Sequence, residues 1–102
     1  MSKAIEQTER ETARWVALDA LYHGGGYPVA ERLILSVLEA VPLRASAADI
    51  RAHLAYLESA GLSEVTELPD GRVTARIERA GVDVVEYNAE CPAGIARPKR
   101  YW

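Results

Sequence analysis

Apolar side chains recur every three to four residues in four stretches of this 102-residue chain and alternate with polar ones in a fifth. The first stretch places Trp15, Leu18, Leu21 and Tyr22 on one helical face,. Thr8 and Glu11 have the spacing of a capping box that opens this helix, and Glu9 adds charge of the favourable sign to its first turn,. Gly24, Gly25 and Gly26 stop it just beyond His23, and residues 1–7 are left to fray,. The second stretch predicts a helix from Val29 or Ala30 to Ala40, ended by Pro42,. Its apolar face is wide, comprising Leu33, Ile34, Val37, Leu38 and Val41, with Leu35 well away from it. So broad a face calls for a central position or a covering partner.

The third stretch, Ser46 to Leu62, is the best specified. Ser46 can cap a helix N-terminus, with Asp49 where the exposed N–H groups and the positive dipole end favour an acid,. Ile50, Leu54 and Leu57 share one face, and Gly61 supplies the left-handed residue of a Schellman ending that folds Leu62 back onto Leu57,. Ser63 to Leu68 reads as a weak strand. Pro69-Asp70-Gly71 is a tight turn, and in the return strand Val73, Ala75 and Ile77 alternate with Arg72, Thr74, Arg76 and Glu78,. A fourth helix is expected over Arg79 to Glu90 with Val82 and Val85 inward, closed by Cys91-Pro92,. The order α-α-α-β-β-α is that of a winged helix-turn-helix, an α+β fold occupying residues 8–90, followed by an extended C-terminal tail over 91–102.

Charge is unevenly placed. Residues 1–90 carry nine basic and fifteen acidic side chains, net −6, whereas residues 91–102 carry three basic and none acidic, net +3. An acidic body is poorly suited to non-specific DNA coating, which depends on neutralising phosphates. Apolar runs such as Leu33–Leu38 are far too short to span a bilayer, and the polar residues 1–14 do not resemble a signal peptide,. A single cysteine, Cys91, excludes an internal disulfide and fits a reducing, cytoplasmic setting,.

Three groups of residues are candidates for recognition. On the third helix the outward face holds Ala48, Ala52, Ala55 and Ser59, flanked by Arg51 and Tyr56. In a helix-turn-helix such a face reads base edges, and Arg51 could make a bidentate contact to guanine. A donor-poor alanine face is equally suited to another protein's surface. The return strand places Arg72 and Arg76 on one side, with Arg79 just beyond, as phosphate contacts or as charges that discourage edge pairing,. In the tail, Arg97, Lys99 and Arg100 interleave with Tyr101 and Trp102, which suits either a phosphate backbone or docking of Trp102 onto protein,. His23-Gly24-Gly25-Gly26 lacks the companions of an oxyanion or phosphate loop and is read as a helix stop,. His23, His53 and Cys91 lack metal-ligand spacing, and His53 at the edge of the third helix's buried stripe is read as a hydrogen-bonded core histidine,. No nucleophile has a sequence-local base, so neither enzyme chemistry nor a metal, cofactor or small-molecule substrate is expected.

Four segments carry a resemblance: WVALDAL (15–21) with the following glycines and Tyr27, SAADIRAHLAYLESAGL (46–62), DGRVTARIERAGVDVV (70–85) and GIARP (94–98). Over Arg14 to Pro98 the chain resembles the small winged-helix proteins of Mu-like transposable phages and prophages. Its central segment also has the pattern of ArsR-like bacterial winged-helix regulators. The resemblance implies the winged-helix fold and a phage setting in the bacterial cytoplasm. Two functions are in view. One is a homodimeric transcriptional regulator that binds double-stranded DNA through the three groups above. The other is an adaptor in phage morphogenesis or DNA packaging that binds a phage or host protein.

Overall fold

A computed structural model describes residues 2–41, 43 and 45–100, and of Ser2 and Lys3 the backbone alone. The expected roles of Pro42 as a helix stop and of Tyr101 and Trp102 in the tail lie outside the described residues. Among those described, four helices and a three-stranded antiparallel sheet form a mixed α+β fold. The elements are α1 (Ser2–His23), β1 (Val29–Ala30), α2 (Glu31–Ala40), α3 (Ala47–Ser59), β2 (Ser63–Glu67), β3 (Val73–Ile77) and α4 (Arg79–Val85).

The first helix starts six residues before the expected cap. Thr8 does not cap; its hydroxyl donates to the Ala4 carbonyl at 2.9 Å, one turn back inside the helix. Gln7 donates to Glu11 at 3.0 Å, the side chain that a capping box would have turned back to Thr8. Residues 2–7 contain no glycine or proline, so the helix propagates outward from its packed half without needing an apolar stripe there,. That packed half buries Ala13, Ala17, Leu18 and Leu21, while the larger Trp15 and Tyr22 are only partly buried against the core.

Val29 and Ala30 are not the start of the second helix. They form β1, which pairs antiparallel with β3 in the register Val29↔Ala75 and Ala30↔Thr74. Pro28 favours an extended approach here, and the β-branched Val29 buries its side chain beneath the sheet,. The strand order is therefore β1-β3-β2, with β3 in the centre, and the element order is α-β-α-α-β-β-α.

α2 is also rotated relative to expectation. Ile34 and Leu38 are fully buried and Leu35 packs against the core, whereas Leu33 and Val41 are 58% and 43% exposed. α3 behaves as read. Ser46 and Asp49 form a reciprocal capping box, the Asp49 amide donating to Ser46 Oγ at 3.2 Å and the Ser46 amide to Asp49 Oδ2 at 2.9 Å. Those bonds to the charged form hold the Asp49 carboxyl below its ordinary pKa,. At the other end Gly61 takes φ +77°, and the amides of Leu62 and Gly61 donate to the carbonyls of Leu57 and Glu58, both at 2.9 Å, completing the Schellman motif,.

β2 and β3 pair from Ser63↔Ile77 to Glu67↔Val73, and the turn closes with the Gly71 amide on the Leu68 carbonyl. Val73, Ala75 and Ile77 face the core as their alternation requires. α4 is shorter than expected, ending at Val85, with Tyr87 in the left-handed region at φ 61°. Val84 is its most buried valine, and Val82 and Val85 pack at the margin. Residues 91–100 do not project as a tail. Ile95 is buried in the main core, and the Ala96 amide donates to the Glu11 carbonyl at 3.1 Å, so this segment lies against α1.

Candidate functional site

The outer face of α3 and the hairpin carry most of the candidate residues, and Arg51 bridges the two. Ala48, Ala52 and Ala55 are exposed along α3, a consequence of the Ile50–Leu54–Leu57 stripe pointing the other way. Arg51 lies on this exposed side, but its guanidinium is engaged. Nε and Nη2 donate to the two Glu31 carboxylate oxygens, each at 2.8 Å, and Nη2 also donates to the Gly71 carbonyl at 3.1 Å. Glu31 opens α2, and its side chain is only 19% exposed. One arginine thus ties α2, α3 and the hairpin turn together. Its fork keeps the Glu31 carboxyl below the ordinary glutamate pKa, and the carboxylate in turn raises the arginine's,.

The other arginines of this region are paired in the same way. Arg72 Nε contacts Asp70 Oδ2 at 2.6 Å. Arg76 donates to Glu64 across the β2–β3 ladder at 3.1 Å and lies 3.5 Å from Glu78. Arg79 faces Asp83 one helical turn away at 3.4 Å. Residues 46–78 hold three arginines against six carboxylates, net −3, so the neutralised cations leave an acidic surface.

Tyr56 is not part of that surface. Its ring lies beneath Arg14 of α1, whose guanidinium carbon is 3.9 Å from the ring centroid,. Arg14 Nη1 also donates to the Gly94 carbonyl at 3.0 Å, and a Cβ at position 94 would collide with the Tyr56 hydroxyl. Tyr56 is therefore a docking point for the C-terminal segment.

Arg97 belongs to the same internal junction. Its Nη1 donates to the carbonyls of Val84 at 2.9 Å and Ala89 at 2.8 Å, and its guanidinium carbon lies 4.4 Å from the centroid of the Tyr87 ring. The Tyr87 hydroxyl donates to the Pro98 carbonyl at 2.6 Å. The Val84 carbonyl near the end of α4, which also accepts from the Tyr87 amide at 3.2 Å, and the Ala89 carbonyl beyond it are thus tied to the segment that follows. This removes Arg97 from the set of residues available to phosphate. Lys99 is exposed, and Arg100 is exposed with its guanidinium carbon 5.8 Å from the Tyr87 ring centroid.

Two features lie outside the three groups of candidate residues. A cleft of about 420 Å³ lies between α1 and α3, lined by Arg10, Arg14, Asp49 and His53 among others. His53 is 7% exposed on its wall and makes no side-chain hydrogen bond among the described residues, so it is not the hydrogen-bonded histidine expected. Burial first, then the nearby guanidinium of Arg14, pushes its pKa below the ordinary value,. The second feature is apolar exposure at Leu33 of α2 and at Val41 just beyond its end, part of the broad face that the sequence expects to be central or covered. Its signal was present in the width of the apolar arc, which exceeds what one core can cover.

Among the described residues no group of three or more His, Cys, Asp and Glu is arranged to hold a metal, and no helix is long and apolar enough to cross a membrane. No family model, no curated protein and no solved structure matches the chain.

Proposed function

We propose that this chain is a winged-helix protein that works through protein contacts, an adaptor whose α3 and hairpin form an interaction surface. The order α-β-α-α-β-β-α supports the winged-helix reading, with β1 as the short strand that such folds place before the helix-turn-helix and β2–β3 as the wing. One observation carries the choice of partner class. Each arginine of the α3–wing face is paired with a carboxylate, Arg51 with Glu31 of α2, Arg72 with Asp70 and Arg76 with Glu64, and residues 46–78 are net −3. Phosphate binding would have to break those pairs and overcome the remaining acids. The alanine face of α3 offers close approach with few donors, as a protein surface uses. The resemblance to Mu-like phage proteins supplies a phage setting, and within it an adaptor with an acidic, donor-poor face suits morphogenesis or DNA packaging.

The test is the salt dependence of binding to random short duplexes. Little retention at micromolar protein and low salt, with a slope near zero in log K against log salt, is expected. Retention with a slope of several overturns the proposal. A photo-crosslinker at Ala52 or Ala55 is expected to join the chain to one discrete phage or host protein during infection.

A DNA-reading regulator is the second reading, favoured by the place of Arg51 beside the wing turn, where it bonds the Gly71 carbonyl, and by the Arg72 side chain being 75% exposed. Under it, Arg51→Ala relaxes selectivity at one base position, whereas Arg76→Ala weakens all sequences alike.

A further inference from the structure

We infer that the cleft between α1 and α3 binds a free amino acid, a small zwitterion held by wall residues that have no partner of their own. The cleft has a volume of about 420 Å³, within the range of small-molecule sites,. His53 of α3 lines it, is only 7% exposed, and has no hydrogen-bond partner among the described residues. Its ring nitrogens are not among the side-chain atoms sealed from solvent without a partner, so the polar edge of the imidazole opens into the cleft that it lines. A ring so deeply buried and unbonded carries a cost that a hydrogen-bonding ligand would remove.

The opposite wall supplies charge. Arg10 and Arg14 stand one turn apart on α1, and both line the cleft,. Arg14 is fixed over the Tyr56 ring and on the Gly94 carbonyl, and its Nε is buried with no acceptor. Arg10 is exposed and has neither a hydrogen bond nor an ion pair among the described residues. By contrast Arg51, Arg72, Arg76 and Arg79 each face a carboxylate. Arg10, the unpartnered imidazole and the fixed guanidinium of Arg14 together suit a carboxylate.

The acids of the cleft decide the rest of the ligand. Asp49 is committed to the cap of α3, where it accepts from the amide and the hydroxyl of Ser46. Glu6 stands one turn before Arg10, a spacing at which the two can pair, yet it too has no hydrogen bond or ion pair among the described residues,. With Glu9, the lining holds three carboxylates against two guanidiniums, net −1 while His53 is neutral. A phosphate or a dicarboxylate adds to that excess. A single carboxylate that brings its own ammonium answers both unpaired side chains, the carboxylate on Arg10 and His53 and the ammonium on Glu6. Those two α1 residues are about 6 Å apart along the axis at 1.5 Å per residue, a span that suits a compact ligand. The apolar lining is Ala13 and Ala52, which offers little to a large aromatic or acyl group. Occupancy of the cleft is independent of whether the outer face of α3 binds protein or DNA.

Two-dimensional NMR of the full isotope-labelled chain, titrated with the common L-amino acids one at a time at millimolar concentration, tests the proposal. At least one is expected to give saturable shifts centred on the His53 ring and on the amides of residues 10–14 and 49–53. Ethanolamine, which is serine without its carboxylate, acetate, which lacks the ammonium, and inorganic phosphate are each expected to bind at least about tenfold more weakly. Arg10→Gln and Glu6→Gln are each expected to weaken the best amino acid about tenfold while leaving the circular dichroism spectrum unchanged, because neither side chain holds the fold together. Arg32→Gln, an exposed arginine on α2, is expected to leave binding unaltered. No saturable response to any amino acid, shifts centred away from the cleft, binding indifferent to Arg10→Gln, or phosphate binding as tightly would each overturn it.

Discussion

Arg97 in the C-terminal segment and Arg51 on α3 are both held by hydrogen bonds, yet what holds them differs. Arg97 donates to two backbone carbonyls and covers an aromatic ring. Arg51 donates chiefly to a carboxylate on a neighbouring helix. An arginine whose one nitrogen bridges two backbone carbonyls from separate turns, with an aromatic ring beneath it, fixes those turns to each other and is a structural member of the fold,. A carboxylate pair at the surface is an exchange of one hydrated charge for another, and its worth is small. Both arginines look alike in sequence, each flanked by alanine. The contrast is between a cation built into the structure and a cation neutralised on its surface.

Four measurements break or sharpen that contrast. Ile95→Ala, at the buried end of the C-terminal segment, is expected to cost about 2–5 kcal/mol in urea denaturation, because it empties a core position,. A cost typical of an exposed site would return residues 91–100 to the status of a tail. Next, Arg97→Ala is expected to cost about 1–3 kcal/mol by removing the donor shared by the Val84 and Ala89 carbonyls and the cation over Tyr87, and Arg97→Lys to recover only part, since an ammonium lacks the planar face that stacks on the ring,. Ser46→Ala is expected to cost about 1 kcal/mol through loss of the reciprocal cap, a local effect within α3,. Arg76→Ala, removing an exposed cross-strand pair, is expected to change the unfolding midpoint least of all.

A fifth measurement uses pH. His53 has a folded-state pKa below its unfolded value, so the unfolded chain binds the proton more readily,. Its contribution is complete above about pH 6.5 and is lost as the pH falls through the folded-state value. Wild type is therefore expected to lose stability below that pH with a slope that His53→Gln lacks. Equal slopes in thermal melts would show that the cleft accommodates the charged ring.

The local grammar of α3 and the hairpin was readable because each signal there acts over a few residues. Ser46, Asp49, Gly61 and the Pro69-Asp70-Gly71 turn each specify their own backbone, and Val73, Ala75 and Ile77 alternate without ambiguity. β1 was hidden because two residues are too few to show a period, and its identity comes from pairing with Ala75 and Thr74, more than forty positions away. The phase of α2 was misjudged for a related reason. A wide apolar arc fits several rotations, and which one is buried depends on where α1 and α3 meet it. Arg97 and Tyr56 were assigned to recognition because cations and aromatics suggest ligands, while their partners, Val84, Ala89, Arg14 and Gly94, lie in distant or irregular backbone that no periodicity reveals.

The contacts that join the C-terminal segment to α1 also have a kinetic meaning. Arg14 to Gly94 spans eighty positions, and the Ala96 amide reaches back to Glu11. Contacts so far apart in sequence are slow to find, because a long loop must close before any of them is rewarded. If the three-helix and hairpin core assembles first, this seam forms after the rate-limiting barrier, and its loss shortens the lifetime of the folded chain while leaving the speed of folding almost untouched.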